Sequence, residues 1–177
     1  MRYRHHHTPI GPLLLAGQDS LARISFPTGD RTVKPADGWP RDEDAFAAAG
    51  VALDAYFAGE PEPFDGVNTE LIGTPFQRDV WQALRTIPYG TTPPSGATAA
   101  TIGRPTAVRA VGAANGANPL PIIYPCHRVI GADGKLTGFG GGLPLKVRLL
   151  QLERDRSVRN PGCDGWVEHR QAEPLLL

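Results

Sequence analysis

The sequence has few of the features that would place it in a specialised class of protein. Only two of its 177 residues are cysteines, Cys126 and Cys163, which excludes a small secreted scaffold built on disulfides and favours a reducing compartment such as the cytoplasm. Long hydrophobic runs are also lacking. The apolar stretch Leu13–Ala16 is bounded by Pro12 and Gly17 and is too short for a signal peptide or a membrane span. We therefore expect no association with a membrane.

The rest of the composition is that of a globular protein. Hydrophobic residues make up 41% of the chain and charged residues 20%, which excludes collagen-like, coiled-coil and wholly disordered classes. The length suits one domain, or two small domains that share an interface, and provides enough residues for a sizeable core. The 21 glycines and 18 prolines indicate many turns.

Positive and negative charges cancel over the whole chain but are separated along it. Residues 1–73 contain six Lys or Arg against eleven Asp or Glu, whereas residues 74–155 contain nine against four. Residues 156–177 contain three of each. The positive excess in the second segment suits an anionic partner such as a nucleic acid, although charge alone does not identify one.

Residues 1–73 are predicted to form a small α/β domain with an antiparallel sheet and a helix. Apolar runs on either side of a turn at Gln18–Ser20 have the pattern of a β-hairpin. Four later apolar residues share one helical stripe: Phe46, Ala49, Leu53 and Phe57. Asp42 is the predicted N-cap of this helix, and Gly59 with Pro61 is its predicted end. We expect this domain to support the rest of the chain, with its acidic residues on a solvated face.

Residues 74–155 are predicted to form a mostly helical second domain. Its first helix has a clear start, because Thr74, Pro75 and Gln77 stand in the order that a capping box with a first-turn proline requires. Pro88 is the predicted end of this helix. The chain then enters a proline-rich stretch with no regular pattern.

Two short helices with a glycine turn between them have the outline of a helix-turn-helix. The spacing predicts them over residues 97–102 and 105–115. Helix pairs joined by glycine are also common in ordinary cores, so the spacing alone leaves both interpretations open. The second helix has a surface almost without side chains, formed by Ala107, Ala110, Gly112, Ala113 and Ala114. Such a surface permits either tight packing or close approach to a groove.

The most specific segment is Pro125–Val129, in which Cys126 is followed by His127 and Arg128. A buried free cysteine is usually just a small hydrophobic residue. A reactive thiol needs its pKa lowered by a histidine or a positive charge, and both following residues offer this. A base also needs an orienting group, and Glu153, at the end of a helix with an apolar stripe, is the candidate carboxylate. Cys126 is therefore a candidate nucleophile.

Several ordered motifs of this chain resemble those of the O6-alkylguanine-DNA alkyltransferases. Pro125–Val129 resembles the active-site motif of that family. The other motifs, in chain order, are Ile87–Gly90, Arg109–Gly112, Asn118–Pro119, Gly138–Gly142 and Leu149–Glu153. The first domain is similar to that of bacterial members at Pro9–Leu13 and Ala55–Gly59, so the resemblance covers residues 8–155. It implies a DNA repair protein that transfers the alkyl group of O6-alkylguanine, and of O4-alkylthymine, irreversibly to its own cysteine.

The resemblance implies catalytic roles for three residues. Cys126 would be the thiolate that takes the alkyl group by direct displacement. His127 would be the base that acts through a water, and Glu153 would orient its imidazole. Arg128, in the same motif, would have a structural role. The chemistry implied by the family needs no metal and no other cofactor.

The resemblance also implies how DNA is bound. Arg109 would enter the duplex and fill the space of the extruded nucleotide, which must leave the stack because its O6 is otherwise unreachable. Ala110 belongs to the small-residue surface, which suits close approach to a minor groove where little sequence is read. The expected partner is therefore double-stranded DNA, bound through its minor groove by a monomer.

A pocket and a hinge complete the set of residues that the resemblance assigns. Asn118 would hold the helix-turn-helix to the active-site loop through backbone hydrogen bonds. Phe139 and Gly140 would form the pocket for the base. Tyr124, which precedes the active-site motif, would belong to the same set of pocket and hinge residues. Without the resemblance, Asn118 and Pro119 would be interpreted as a turn, and the glycines as a flexible loop.

Ser95 is a departure from the pattern of the family. Members have a tyrosine here that helps to rotate the phosphate, drives extrusion and donates a hydrogen bond to guanine, whereas Ser95 follows Pro93 and Pro94 and offers no phenol. One alternative is therefore a damage-binding protein with impaired repair of duplex DNA. Another is a cysteine hydrolase of small molecules, which would leave the segments around Arg109 and Asn118 unexplained.

No metal site and no role for the C-terminal tail are predicted. His5–His7 are interpreted as solvated N-terminal sequence, because consecutive residues rarely converge on one tetrahedral ion. Residues 156–177 form a predicted tail with no match to the family, interpreted as disordered. Cys163 and His169 within it are given no catalytic role.

Overall fold

The computed structural model describes residues 1–159. Within them, three strands are followed by five α-helices, with a 3-10 turn at Cys126–Arg128 before the last helix. The elements are β1 (Arg2–Thr8), β2 (Gly11–Gly17), β3 (Leu21–Ser25), α1 (Ala47–Ala58), α2 (Pro75–Leu84), α3 (Ser95–Thr101), α4 (Val108–Gly116) and α5 (Leu143–Arg159). Cys163 and His169 lie outside the described residues.

The order of the elements confirms the predicted fold class. An antiparallel sheet with strand order β1-β2-β3 and helix α1 make up the first part, and the remainder is helical. Helices α3 and α4 are the two short helices that the spacing indicates, while their use as a helix-turn-helix stays a prediction. In the described part of the chain no helix has the length and apolar character to cross a membrane.

The sheet contains one strand that the sequence pattern does not show. The hairpin around Gln18–Ser20 is confirmed as β2 and β3, but β1 pairs with the other side of β2, with His6 opposite Leu13. The interpretation of His5–His7 as solvated sequence is wrong for His6, which is buried. Alternation along the strand turns His6 toward α1, where its Nε2 lies 2.8 Å from Oδ1 of Asp54.

Helix α1 is bounded at both ends by a residue with left-handed backbone conformation, and no side chain caps its N-terminus. Its predicted N-cap, Asp42, does not cap it. The helix follows Phe46, which has a left-handed φ of 58°, while Asp42 forms an ion pair with Arg2. The predicted end is confirmed, because Gly59 has a φ of 98°, a value that favours glycine. The buried face of α1 carries Tyr56, whose side chain reaches the second domain.

The helices of the second domain have the predicted order with shifted ends. The capping box is confirmed, since the Thr74 hydroxyl accepts from the Gln77 amide at 3.2 Å and the Gln77 side chain accepts from the Thr74 amide at 2.9 Å. Helix α3 begins at Ser95, two residues before the predicted start, where the Ser95 amide donates to the carbonyl of Ile130. Helix α5 continues to Arg159, four residues past the boundary predicted at residue 155.

Trp81 on α2 joins the helices of the second domain. Its side chain is 1% exposed, and its indole N–H donates to the carbonyl of Ala114 on α4 at 2.8 Å. A buried indole that keeps a hydrogen-bond partner packs without leaving an unpaired donor. The contact fixes α4 relative to α2, and with it the segment that leads into the 3-10 turn.

Candidate active site

The 3-10 turn directs three consecutive side chains to two different places. Cys126, His127 and Arg128 are all buried. Cys126 lies on the wall of a cavity, whereas His127 and Arg128 both reach Glu153 on α5. The backbone before the turn is unusual, because the buried, β-branched Ile122 has a φ of 75°.

His127 and Glu153 form a buried hydrogen-bonded pair. Nε2 of His127 lies 2.7 Å from Oε1 of Glu153, and both side chains are 0% exposed. An ionised carboxylate only accepts hydrogen bonds, so Nε2 carries the proton and Nδ1 is the basic nitrogen. Nδ1 is buried and has no hydrogen-bond partner among residues 1–159. The structure thus brings together two of the predicted catalytic residues and leaves one nitrogen available as a base.

Arg128 fixes the position of the same carboxylate. Its Nε donates to Oε2 of Glu153 at 2.9 Å and its Nη2 donates to Oε1 at 3.1 Å. Its Nη1 donates to Glu62 at 2.8 Å and to the carbonyl of Ile87. Burial acts to raise the pKa of Glu153, but His127 and Arg128 outweigh it and lower this pKa to about 2. Glu153 is therefore ionised at neutral pH.

The prediction that His127 and Arg128 lower the pKa of the Cys126 thiol is wrong. Burial raises this pKa to about 11, and the side chains of both neighbours point to Glu153 instead of the sulfur. Smaller effects in the other direction come from a hydrogen bond with Asn118, the positive charge of Lys146, and backbone hydrogen bonds of Cys126 and His127. The resting thiol is therefore protonated and needs a base to become a nucleophile.

Asn118 ties the end of α4 to the segment before the cysteine. Its Nδ2 donates to the carbonyl of Tyr124 at 2.7 Å, and its Oδ1 accepts from the amide of Leu120 at 3.0 Å. The ring of Tyr124 lies elsewhere, with its hydroxyl 3.1 Å from the Thr69 hydroxyl and the Arg85 guanidinium over its face. Tyr124 thus contributes its carbonyl to the contact with Asn118, and its ring does not line the cavity beside Cys126.

A cavity of about 400 Å³ opens beside Cys126, a volume in the range of small-molecule sites. Its walls come from six segments of the chain, spread from Asp30 to Lys146. They are formed by Asp30, Arg31, Ser95, Gly112, Asn115, Gly116, Cys126, Val129, Thr137, Gly138, Phe139, Gly140 and Lys146. The predicted pocket residues Phe139 and Gly140 line this cavity, as does Ser95, while its use as a pocket for the base stays a prediction.

The rim of the cavity is a close contact between the two domains. Gly29, with a φ of 109°, lies so near the glycine-rich segment that an added Cβ would collide with the carbonyl oxygen of Gly140. The amide of Arg31 donates to the same carbonyl at 3.3 Å. A loop of the first domain thus borders the opening of the pocket.

Sequence reasoning missed several residues of the site. Lys146 is 1% exposed, and its Nζ donates to the carbonyls of Val129 at 2.7 Å and Thr137 at 3.1 Å. A signal for it exists, because Lys146, Leu149 and Glu153 share one helical stripe and a lysine is rare on a buried face. No comparable signal marks the missed pocket residues Asp30, Arg31 and Asn115.

Of the residues predicted to contact DNA, Ser95 begins α3, whereas Arg109 and Ala110 lie on α4. Arg109 and Ala110 are exposed, and neither lines the cavity. Gly112, one turn further, does line it, and a Cβ added there would meet nothing within 4 Å. Beside the opening of the cavity, α4 therefore exposes small residues, Ala110 and Gly112, and one long side chain, Arg109. Among residues 1–159, no three His, Cys, Asp or Glu side chains are grouped to hold a metal ion.

Comparisons with known proteins point to one family over most of the chain. The model described as 6-O-methylguanine DNA methyltransferase, ribonuclease-like domain, matches residues 1–71, and the model of its DNA binding domain matches residues 75–155. Methylated-DNA–protein-cysteine methyltransferases of Mycolicibacterium paratuberculosis and Methanosarcina acetivorans are 52% and 50% identical, over 89% and 86% of this chain and 94% and 98% of theirs. The crystal structure of Mycobacterium tuberculosis OGT in complex with DNA has a TM-score of 0.81 at 50% identity, covering 88% of this chain and 94% of that one.

Proposed function

The chain belongs to the 6-O-methylguanine DNA methyltransferase family, and from this membership we propose that it repairs alkylated DNA by moving the alkyl group of O6-alkylguanine, and of O4-alkylthymine, onto Cys126. One observation carries the proposal. The Cys126 thiol lies on the wall of an open cavity, while the buried His127–Glu153 pair stands next to it in the chain with a free basic nitrogen. A thiol, a base and an orienting carboxylate are the parts that nucleophilic transfer requires.

The transfer is a single displacement at the alkyl carbon. The thiol proton of Cys126 passes through a water to Nδ1 of His127, and the sulfur forms a bond to the alkyl carbon as the bond from that carbon to O6 breaks. The electron pair of the broken bond stays on the guanine, which gains the proton. Glu153 stabilises the imidazolium in the meantime, and the buried ammonium of Lys146 lowers the pKa of the thiol. Because the thioether that forms is stable, each molecule acts once.

DNA is the partner of this protein, and α4 is the element proposed to contact it. The relative from Mycobacterium tuberculosis was crystallised with DNA. We assign α3 and α4 to a helix-turn-helix that lies in the minor groove, since the exposed Ala110 and the open Gly112 allow a close approach. Arg109 takes the place of the extruded nucleotide. The protein acts as a monomer in the cytoplasm, where a reducing environment keeps the thiol free.

Mass spectrometry tests the function directly. The full chain is incubated with duplex DNA that contains one O6-methylguanine, and both partners are analysed. We expect each protein molecule to gain one methyl group, located on the peptide with Cys126, while the DNA gains an unmodified guanine. Turnover without a modified protein would identify a hydrolase, and binding without transfer would identify a damage-binding protein.

Replacing Arg109 by Ala is expected to lower the rate of duplex repair by about tenfold or more, because extrusion needs a side chain to fill the stack. The reaction with free O6-benzylguanine should keep its rate, since a free base requires no extrusion. The two rate constants are measured with the same protein preparation. Arg78→Ala, which removes an exposed positive charge from α2, is the control for charge alone. Equal losses on both substrates would contradict the role of Arg109.

Replacing Ser95 by Tyr is expected to raise the ratio of the duplex rate to the free-base rate by a few fold, about 1 kcal/mol of barrier. Ser95 already lines the cavity and begins α3, so a ring at this position extends toward the extruded nucleotide. Ser95→Phe supplies the same ring without the hydroxyl and separates its packing from its hydrogen bond. A ratio that stays unchanged or falls in Ser95→Tyr would show that the phenol does not reach the nucleotide.

A further inference from the structure

Tyr56 belongs to the first domain, but its hydroxyl lies within the His127–Glu153 pair of the second domain. The ring is 0% exposed at the inner face of α1. Its hydroxyl donates to Oε1 of Glu153 at 2.8 Å and lies 3.4 Å from Nε2 of His127. The first domain, predicted only to support the catalytic part, therefore supplies a hydroxyl that contacts both His127, the proposed base, and Glu153, which orients it.

The hydrogen bonds around Glu153 show what this hydroxyl adds. Oε1 accepts from Tyr56, His127 and Arg128, while Oε2 accepts from Arg128 and the amide of Gly90. Tyr56 and Arg128 thus hold from opposite domains the oxygen that also accepts from the imidazole. Burial and the charge of Glu153 raise the pKa of Tyr56 well above its usual value, so the phenol stays a donor at every working pH.

We infer that Tyr56 is a positioning residue for alkyl transfer, acting through Glu153 to hold the imidazole of His127 in a fixed orientation. The inference rests on the proposed function and extends the site into the first domain. Partners that orient a functional histidine or carboxylate contribute to its activity without touching the substrate. Tyr56 occupies that place here, because none of its polar contacts is with the cavity.

Tyr89 provides a matched comparison within the same cluster. It is also buried, and its ring meets that of Tyr56 edge to face with centroids 6.1 Å apart. Its hydroxyl, however, has no hydrogen-bond partner among residues 1–159. Of these two neighbouring tyrosines, only Tyr56 has its hydroxyl bonded to Glu153, whereas the guanidinium of Arg128 lies over the ring of Tyr89. Removal of either hydroxyl takes away one buried oxygen, but only one removal disturbs the catalytic pair.

The experiment compares Tyr56→Phe and Tyr89→Phe with wild type in single-turnover reactions with free O6-benzylguanine and with duplex O6-methylguanine DNA. For Tyr56→Phe we expect the rate constant to fall about tenfold on both substrates, the size of one lost hydrogen bond to a charged group. The number of alkyl groups finally accepted per molecule should stay at one. Tyr89→Phe should match wild type in both quantities.

Rate and amplitude separate positioning from folding, because the reaction occurs once per molecule. A purely structural role for Tyr56 would lower the fraction of protein that reacts and leave the rate constant of the folded molecules unchanged. Urea unfolding of both variants confirms that the assay is run where they are folded. A rate constant equal to that of wild type, or an equal decrease in Tyr89→Phe, would overturn the inference.

A double-mutant cycle tests whether Tyr56 acts through the imidazole. In a His127→Asn background, Tyr56→Phe should have no further effect on the rate constant, because the group that it positions is gone. An additional tenfold loss there, about 1.4 kcal/mol, would assign Tyr56 a different role. Failure of the proposed function is distinguishable from failure of this inference, because wild type itself would then accept no alkyl group.

Discussion

Replacing Cys126 by Ser is expected to reduce alkyl transfer by about a thousandfold or more, without a change in the affinity for DNA. The hydroxyl of serine is a much weaker nucleophile in the same space, and it is harder to deprotonate than a thiol. The exchange leaves the proposed DNA contacts untouched, because Cys126 is 7% exposed on the cavity wall and Arg109 and Ala110 lie outside the cavity.

The measurement is the mass of the protein after incubation with O6-methylguanine DNA, together with a binding titration on the same duplex. Cys163→Ser removes the other cysteine of the chain and is the matched control, which should transfer at the rate of wild type. Methylation of Cys126→Ser, or loss of methylation in Cys163→Ser, would contradict the assignment of the acceptor. A parallel loss of DNA binding in Cys126→Ser would show that the exchange perturbs more than the nucleophile.

The second large effect is expected from Glu153→Gln, which should lower the free energy of unfolding at neutral pH by about 3–5 kcal/mol. The exchange leaves the guanidinium of Arg128, 1% exposed, without its buried counter-charge. Glu62→Gln is the control, because Glu62 contacts the same guanidinium at 2.8 Å but is itself 45% exposed. Its loss should cost about 1 kcal/mol or less. Urea unfolding of the three proteins gives these differences, and equal costs for the two variants would contradict the argument.

The pH dependence of stability provides a second test of Glu153. Its pKa is lowered in the folded protein from 4.5 to about 2, so the ionised form is favoured by folding. The stability that this provides is fully present above about pH 4.5 and is lost as the pH falls toward 2. The difference in unfolding free energy between wild type and Glu153→Gln should therefore shrink over this interval. A difference that stays constant would show that the ionisation of Glu153 does not contribute.

Local signals in the sequence predicted the elements that depend on neighbouring residues. The capping box at Thr74 and the glycine end of α1 at Gly59 are both confirmed, because each involves residues only a few positions apart. Strand β1 has no apolar alternation in the sequence, because polar residues, Arg4 and His6, occupy its inner face. Only pairing with β2 reveals that His6 points inward.

The features of the site that could not be predicted from the sequence depend on contacts between distant segments. The family resemblance named His127 and Glu153, but only the packing of α5 places them 2.7 Å apart. The thiol pKa was mispredicted because neighbours in a 3-10 turn point in different directions, so adjacency to Cys126 gave no proximity to its sulfur. The hydroxyl of Tyr56 meets a carboxylate 97 positions away, which no local pattern contains.

The contact between Gly29 and Gly140 at the rim of the pocket restricts which sequences of residues 1–73 can be combined with which sequences of residues 74–155. Gly29 can accept the carbonyl of Gly140 only while it has no side chain, so each half constrains the shape that the other can adopt. Recombination between distant family members would join loops that never evolved against each other. Chimeras made at the junction between residues 73 and 74 should therefore work best when the first segment keeps glycine at the position of Gly29.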